Sequence, residues 1–397
     1  MKNRPAQHAV IIGAGYAGLA AGIALANKKI KTTILEKSAQ IGYPVRCGGG
    51  SWIEDLEKLN IPKEYMHPIN GVILVTPKHK IKFETKIPQM CVLNTEKVLK
   101  HLEEEFVRQG GNILLKHNVL TPVVNNNIVT GVEVLSSGKK STINGDVFID
   151  ASGFSAVLAK KAGLQKKAVR FAAGGEYELA APGFSQKDAL LIFGYASIPS
   201  GYGWIFPCGG NRIRAGVGLI NPKKAVNLQA GIKAMLEQLK KENAIKLESY
   251  KILEYHHGVI SCDKPLKDTI REGLITVGDS AGQLSLLVGE GTRFALEVGR
   301  DTGALLAEHL IGKKDFCQFA SVYRPFVRKK YYPGFLQHYY INKILAKLSP
   351  AQFDKIVIRA SKVKPEYFFQ LLKGNIKVST VVKLLFRDPK SILSLIS

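Results

Sequence analysis

Cysteine is sparse and scattered in this 397-residue chain. Cys47, Cys91, Cys208, Cys262 and Cys317 include no CxxC pair, and an odd, dispersed set argues against a disulfide framework. Reduced thiols in a cytoplasmic setting are expected, and no residue set is assigned to a metal. Long apolar runs are missing too. No stretch reaches the roughly 18 to 20 residues that cross a bilayer. Met1-Lys-Asn-Arg-Pro5 leads straight into an expected strand, which leaves no room for a secretory leader. The expectation is a cytoplasmic protein, soluble or peripheral on a membrane. Acidic residues are also short: 32 Asp+Glu face 56 Lys+Arg, a net charge of +24. Such an excess suits an anionic partner (nucleic acid, membrane surface or phosphorylated substrate) or a solvated basic surface. Repeats and low-complexity tracts are absent.

What is present is ample core material, 46% hydrophobic residues, in a chain longer than one core usually organises. The opening reads strand, turn, helix, strand. His8 to Ile12 is a short apolar run, Gly13 to Gly18 a tight turn, Leu19 to Asn27 a helix, and Lys31 to Leu35 a second strand closed by Glu36. Thr95 to Gln109 is helical by period and stops at Gly110-Gly111. Asn112 to Ser136 reads as a meander with a turn at Asn125-Asn126-Asn127, and Val147 to Asp150 as a buried strand. Between 165 and 260 short alternating segments such as Leu190 to Phe193 and Arg214 to Leu219 suit an antiparallel sheet, with Leu228 to Glu242 an amphipathic helix. Parallel grammar then returns with the strand Leu274 to Val277 and a long helix from Gly291 to Leu310.

Gly13-x-Gly15-x-x-Gly18 follows a strand and opens a helix, the context a dinucleotide fingerprint requires. Its glycines allow the tight turn, the approach of backbone to a pyrophosphate, and close helix–strand packing. The diphosphate then sits on a helix N-terminus, where free N–H groups and the dipole favour anions. Glu36 is spaced to bind the ribose hydroxyls of the adenosine.

Two further motifs favour flavin over nicotinamide. Gly278-Asp279, at a strand end, resembles the second FAD fingerprint of the glutathione-reductase-like flavoproteins, whose aspartate binds the ribityl chain. Asp150-Ala-Ser-Gly153 resembles their intermediate strand-end motif. Tyr43-Pro-Val-Arg46-Cys47-Gly48-Gly, Tyr202-Gly-Trp204-Ile-Phe206-Pro207, Gly216-x-Gly218 and Gly289-Glu-Gly291 narrow the likeness: residues 8 to 310 resemble the geranylgeranyl reductase family. The chain departs from that pattern at Thr95, where relatives typically carry arginine, and at Leu286, where proline is usual.

The resemblance implies an α/β fold: a Rossmann-like FAD-binding domain interleaved with an α+β substrate domain on a largely antiparallel sheet, plus a C-terminal helical region. The expected boundaries are 1–75, 90–165 and 262–312 for the first, 76–89 and 166–261 for the second, and 313–397 for the third. It further implies FAD contacts from Gly13, Gly15, Tyr16, Ala17, Gly18, Glu36, Lys37, Arg46, Cys47, Gly48, Val119, Gly278, Asp279, Gly289, Gly291 and Thr292. Tyr202, Trp204 and Phe206 would line the cavity for a hydrophobic isoprenoid or lipid, since a long apolar chain needs an aromatic-walled tunnel.

The implied reaction reduces carbon–carbon double bonds in a prenyl chain: hydride from reduced FAD to one carbon, a proton to the other, with Cys47 or a flavin-bound water as candidate acid. No second Gly-rich βαβ unit is present, so NAD(P)H or another donor would bind transiently. The alternative is an FAD-dependent monooxygenase or halogenase on a hydrophobic or aromatic small molecule, for which Lys78, Lys80 and Lys82 are the lysines to watch.

From Lys313 to Ser397 the chain reads as helical and strongly basic, opposed only by Asp315, Asp354, Glu366 and Asp388. It opens on aromatics that include Phe316, Phe319, Tyr323, Tyr331, Phe335 and Tyr340. A basic, aromatic surface fits anionic lipid. The alternatives are a solvated helical cap, or nucleic acid, which is disfavoured because no binding module is present.

Overall fold

The computed structural model describes residues 7–166, 168–222, 226–312 and 315–374. Two sheets dominate it. The first has six strands in the order Ile270–Arg271, Leu274–Thr276, Val147–Asp150, His8–Ile12, Lys31–Leu35, Asn112–Leu114. Its last five strands run parallel, with His8–Ile12 between Lys31–Leu35 and Val147–Asp150. These short apolar runs are buried on both faces, as a parallel sheet between covering layers requires. One face carries the helices Tyr16–Asn27 and Thr292–Ile311, through Leu19, Leu25, Leu296 and Leu306. The other is covered by Val132 and Val134 of a three-stranded sheet and by Leu158. Asn126 and Asn127 take positive φ at the tip of that smaller sheet, the conformation the Asn triplet favours.

The second large sheet has seven strands: Lys251–Ser261, Phe171–Ala180, Arg212–Ile220, Gly201–Gly209, Ala189–Ile192, Gly71–Val75, Lys80–Glu84. One face packs on the helix Leu228–Lys241 through Ile232, Met235, Leu236 and Leu239. The strand Gly71–Val75 pairs with Ala189–Ile192 and Lys80–Glu84, so this sheet begins before the expected boundary at residue 76. Its five residues are all buried, and such a run reads the same in either sheet. Strands of the first sheet precede and follow the strands of this sheet in sequence.

The first helix starts at Tyr16, inside the glycine motif, three residues earlier than the apolar pattern suggests. Its small residues carry no period to read. Four helices follow Thr292–Ile311: Phe316–Lys330, Tyr332–Leu345, Pro350–Ala360 and Pro365–Lys373. Asp315 and Ser349 open the first and third with reciprocal capping boxes.

Most aromatics of this region are buried or half-buried, although Tyr340 and Tyr367 are exposed. Phe319, Tyr323, Tyr331 and Phe335 are buried with the helices of the first sheet, while Phe368 and Phe369 pack on Phe83 and Trp52. Fully burying such a ring contributes about 2 kcal/mol, which a solvent-exposed position would forgo. The basic residues behave as expected: Lys343, Lys347, Lys355, Arg359, Lys362 and Lys364 are exposed. Asp388 lies outside the described residues. Among the described residues no helix is long and apolar enough to cross a membrane.

Candidate functional site

A single cavity of about 870 Å³ runs from the first strand–turn–helix to the face of the seven-stranded sheet away from helix Leu228–Lys241. At one end lies the glycine turn. Gly13 has φ +99°, and a Cβ there would sit 2.6 Å from the Ala151 carbonyl oxygen. A Cβ on Gly18 would collide with the Gly13 carbonyl, so the helix can start against the turn only with glycine there. Gly15 differs: no protein atom lies within 4 Å of its Cβ position, and that open side faces the cavity. The three positions thus divide into two that pack and one that leaves room for a ligand. Glu36 is fixed at this end by the N–H groups of Ala14 (2.9 Å) and Ser38 (2.8 Å).

In the middle, the loop Tyr43–Gly48 meets the N-terminus of helix Thr292–Ile311. Cys47 Sγ lies 3.3 Å from Thr292 Oγ1 and accepts from the Gly49 N–H at 3.4 Å. Burial pushes the Cys47 thiol up, so it stands as a neutral S–H at neutral pH. Opposite, Asp279 follows strand Leu274–Thr276 in a short turn, and burial alone raises its carboxyl to about 6. The Thr95 hydroxyl, buried on this wall, makes no hydrogen bond among the described residues. An isolated acid and an orphaned hydroxyl facing one cavity fit a ligand rich in hydroxyl and ring-edge polar atoms, as a flavin nucleotide is.

The far wall is aromatic. Tyr202 and Trp204 alternate onto the cavity face of strand Gly201–Gly209, with ring centroids 5.7 Å apart. Phe193 continues the row, 5.9 Å from Tyr202, and Phe353 of the tail stacks on it at 5.4 Å. Asn342 and Leu345 also reach the cavity from the tail. Tyr202 donates to the Val288 carbonyl at 2.6 Å, tying the strand to the loop before Gly289. Trp204 Nε1 donates to Glu176 Oε2 at 2.9 Å, and its indole lies over Gly216, where a Cβ would overlap the ring. That gives Gly216-x-Gly218 a physical reason: a flat floor for Trp204.

Most of the expected site residues therefore share one cavity: Gly13, Gly15, Tyr16, Ala17, Glu36, Lys37, Arg46, Cys47, Gly48, Val119, Asp279, Gly289, Gly291, Thr292, Tyr202 and Trp204. Three do not line it. Gly18 and Gly278 stay behind the wall, Gly18 packing the first turn and Gly278 taking φ +66° in the separate turn that carries Asp279. Phe206 is a correction: it faces the same side as Trp204 but one step further on, buried against Gly50, where the cavity has ended.

Residues missed by the sequence reading include Glu176, His256, Phe193 and Phe353, all on the wall. Acids at 176 and 178 inside an otherwise small and apolar strand were the available signal for the first of them.

A family model described as FAD dependent oxidoreductase matches residues 9–276. The digeranylgeranylglycerophospholipid reductase of Methanocaldococcus jannaschii is 29% identical over 87% of this chain and 88% of its own length. That of Methanococcus vannielii is 27% identical over 94% of each. Among solved structures, a geranylgeranyl bacteriochlorophyll reductase-like protein from Thermoplasma acidophilum superposes with a TM-score of 0.84, covering 98% of this chain and 99% of its own at 21% identity. The flavin-dependent halogenase CmlS gives 0.68 at 16% identity, covering 97% and 77%. A match over more than half of its length makes this chain a member of the FAD dependent oxidoreductase family, with FAD as its cofactor.

Proposed function

We propose that the chain reduces carbon–carbon double bonds in the prenyl chain of a lipid or isoprenoid. In this reading the first sheet and its helices form a discontinuous FAD-binding domain, and the seven-stranded sheet is the core of an inserted substrate domain. The turn Gly13–Gly18 and the N-terminus of helix Tyr16–Asn27 would hold the diphosphate. Glu36 would hold the adenosine ribose, with Lys37 and Val119 beside the adenine, and Asp279 the ribityl chain. Arg46, Cys47, Gly48 and the Gly289–Thr292 segment would frame the ring. Bound and reduced by a nicotinamide or another donor, FAD supplies a hydride equivalent.

The observation that carries the reading is the aromatic row. Phe353, Phe193, Tyr202 and Trp204 extend from the Cys47–Asp279 region along one cavity, an apolar path suited to an extended hydrocarbon. The protein's part is to bind that chain, keep water from the ring and present a proton. The relatives' names point the same way. The halogenase alternative is less well supported: Lys80 donates to the Ala244 carbonyl, Lys82 pairs with Glu84 and Asp188, and none of Lys78, Lys80 and Lys82 lines the cavity. The exposed basic residues of the tail support a peripheral position on anionic membrane, where a lipid substrate would be found.

The test is anaerobic. Protein with chemically reduced flavin is mixed with a geranylgeranylated glycerophospholipid. Return of the oxidised-flavin spectrum and a mass gain of two hydrogens per bond are expected. A flavin that stays reduced until oxygen is admitted would sink the reading.

A further inference from the structure

We propose that Glu254, His256 and Glu176 form a relay that carries protons from solvent to the cavity wall, one for each double bond reduced; this rests on the reductase reading above. The three residues sit on neighbouring antiparallel strands, Phe171–Ala180 and Lys251–Ser261, whose register sets Glu176 opposite His256. His256 Nδ1 lies 2.9 Å from Glu176 Oε1 and Nε2 lies 2.9 Å from Glu254 Oε2, so the doubly protonated ring donates to both carboxylates. The Glu254 side chain is 49% exposed, whereas those of His256 and Glu176 are each 4% exposed. Two hydrogen bonds therefore lead from water to a buried carboxylate.

The inner end is at the reacting part of the cavity. Glu176, His256, Trp204 and Gly48 all line it, and Glu176 Oε2 lies 3.2 Å from the position a Gly48 Cβ would take, next to Cys47.

The surrounding charges suit a proton store. Burial by itself would lower the His256 imidazole, but its bonds to Glu176 and Glu254 outweigh that and hold it above the ordinary 6.5. Arg214, from the strand on the other side, opposes this weakly: its Nε is 3.9 Å from Glu176 but 3.1 Å from Glu178, which also takes Arg212 at 3.0 Å. Cys47 and Cys208, raised by burial, stay neutral nearby, and His257 stacks on Tyr255 at 5.6 Å. A buried ion pair is weak evidence for stability in its own right. A ring with carboxylates on both nitrogens, one of them reaching water, has the layout of a proton path.

The step balances. One alkene carbon takes a hydride, both electrons included, from the reduced cofactor, which the external donor re-reduces. The other carbon takes a proton that the Glu176 carboxylate receives from Nδ1 of the imidazolium and passes on, leaving a neutral ring with its proton on Nε2. The neutral ring then tautomerises through solvent water, its proton passing from Nε2 to Nδ1, and the freed Nε2 takes a new proton from Glu254, which reloads from water.

The experiment uses the full-length holoprotein, reduced without oxygen, and the same geranylgeranylated lipid. Single-turnover flavin reoxidation is followed from pH 5 to 10 for wild type, Glu176→Gln, His256→Gln and Glu254→Gln. In wild type the rate should fall as pH rises and the imidazolium is lost. His256→Gln and Glu176→Gln should slow the step about a hundredfold and abolish that limb. Glu254→Gln changes only a half-exposed side chain, so it keeps the test open if the buried variants do not fold. Under repeated turnover with excess dithionite to re-reduce the flavin, it should leave the first bond nearly unaffected and make singly reduced lipid accumulate where wild type goes on to further bonds.

Nitrogen NMR of the His256 ring, with the flavin oxidised and no turnover, should show titration above 6.5 that drops in Glu176→Gln. An active wild type whose variants keep its rates, product pattern and pH profile overturns the relay alone. A wild type that leaves its flavin reduced overturns the reductase reading and the relay with it.

Discussion

Burial alone sets the Asp279 carboxyl near 6, against 3.8 for the free group. In the apoprotein the folded state therefore keeps its proton to higher pH than the unfolded chain does. The unfolded state binds fewer protons between those values, so stability falls as pH rises through the window. The full penalty above pH 6, a shift of about two units, is on the order of 3 kcal/mol. Asp279→Asn removes the ionisation and keeps the shape. Flavin-stripped Asp279→Asn should have a higher urea midpoint than flavin-stripped wild type at pH 7 to 8, with the gain gone near pH 4. Its affinity for FAD should drop, because in the proposed reading this carboxylate accepts from the ribityl hydroxyls. Equal midpoints at every pH would mean that Asp279 is not the isolated acid described here.

This residue and the glycines of the first turn were legible in the sequence because their chemistry is local: a strand end, a tight turn and a helix start lie within a few residues. Glu176, His256 and Glu254 were not, since up to 80 residues separate them and only strand register brings them together.

At the scale of elements, helices Tyr16–Asn27 and Thr292–Ile311 touch backbone to backbone. A Cβ on Gly303 would strike the Ala21 carbonyl oxygen and come within 2.9 Å of the Ala24 Cβ; one on Gly299 would strike the Ala17 carbonyl. Both helices begin at the cavity, at Tyr16 and Thr292, so their separation sets the distance between the two halves of the cofactor site. Gly303→Ala should force them apart, cost about 1–3 kcal/mol by denaturant midpoint, and weaken FAD binding in the same preparation. Gly334→Ala is the contrast. It lies in helix Tyr332–Leu345 with nothing within 4 Å of its Cβ position, so alanine there should add about 0.5–1 kcal/mol and leave FAD affinity unchanged. If both substitutions shift the midpoint alike, close helix contact is not what fixes Gly303. Periodicity and turn residues announced many of the elements and the helical character of the tail. Between 50 and 90 no path was legible, and the fully apolar strand Gly71–Val75 matches any buried neighbour.

Taken as a whole, the molecule separates its apolar and basic features. Apart from the exposed Tyr340 and Tyr367, the tail's described aromatics are buried or half-buried, while Asp354 takes Thr76, and Lys373 pairs with Asp55 at 2.8 Å. What the tail shows to solvent is chiefly charge, within a net +24. Association with a membrane should then be electrostatic, with little insertion of rings. Each Lys or Arg near an anionic surface contributes about 1 kcal/mol, and the Debye length shrinks from about 10 Å at 0.1 M salt to about 3 Å at 1 M. Flotation with phosphatidylserine-containing vesicles should carry the protein at low salt and release it as salt rises. Neutral vesicles should carry none at any salt. Replacing Lys343, Lys347, Lys355 and Lys362 together by glutamine, all exposed, should move the release point to lower salt without altering the flavin spectrum. Binding that ignores salt, or is equal on neutral lipid, would require a buried apolar anchor that the packing of Phe319, Tyr323, Tyr331 and Phe335 does not provide.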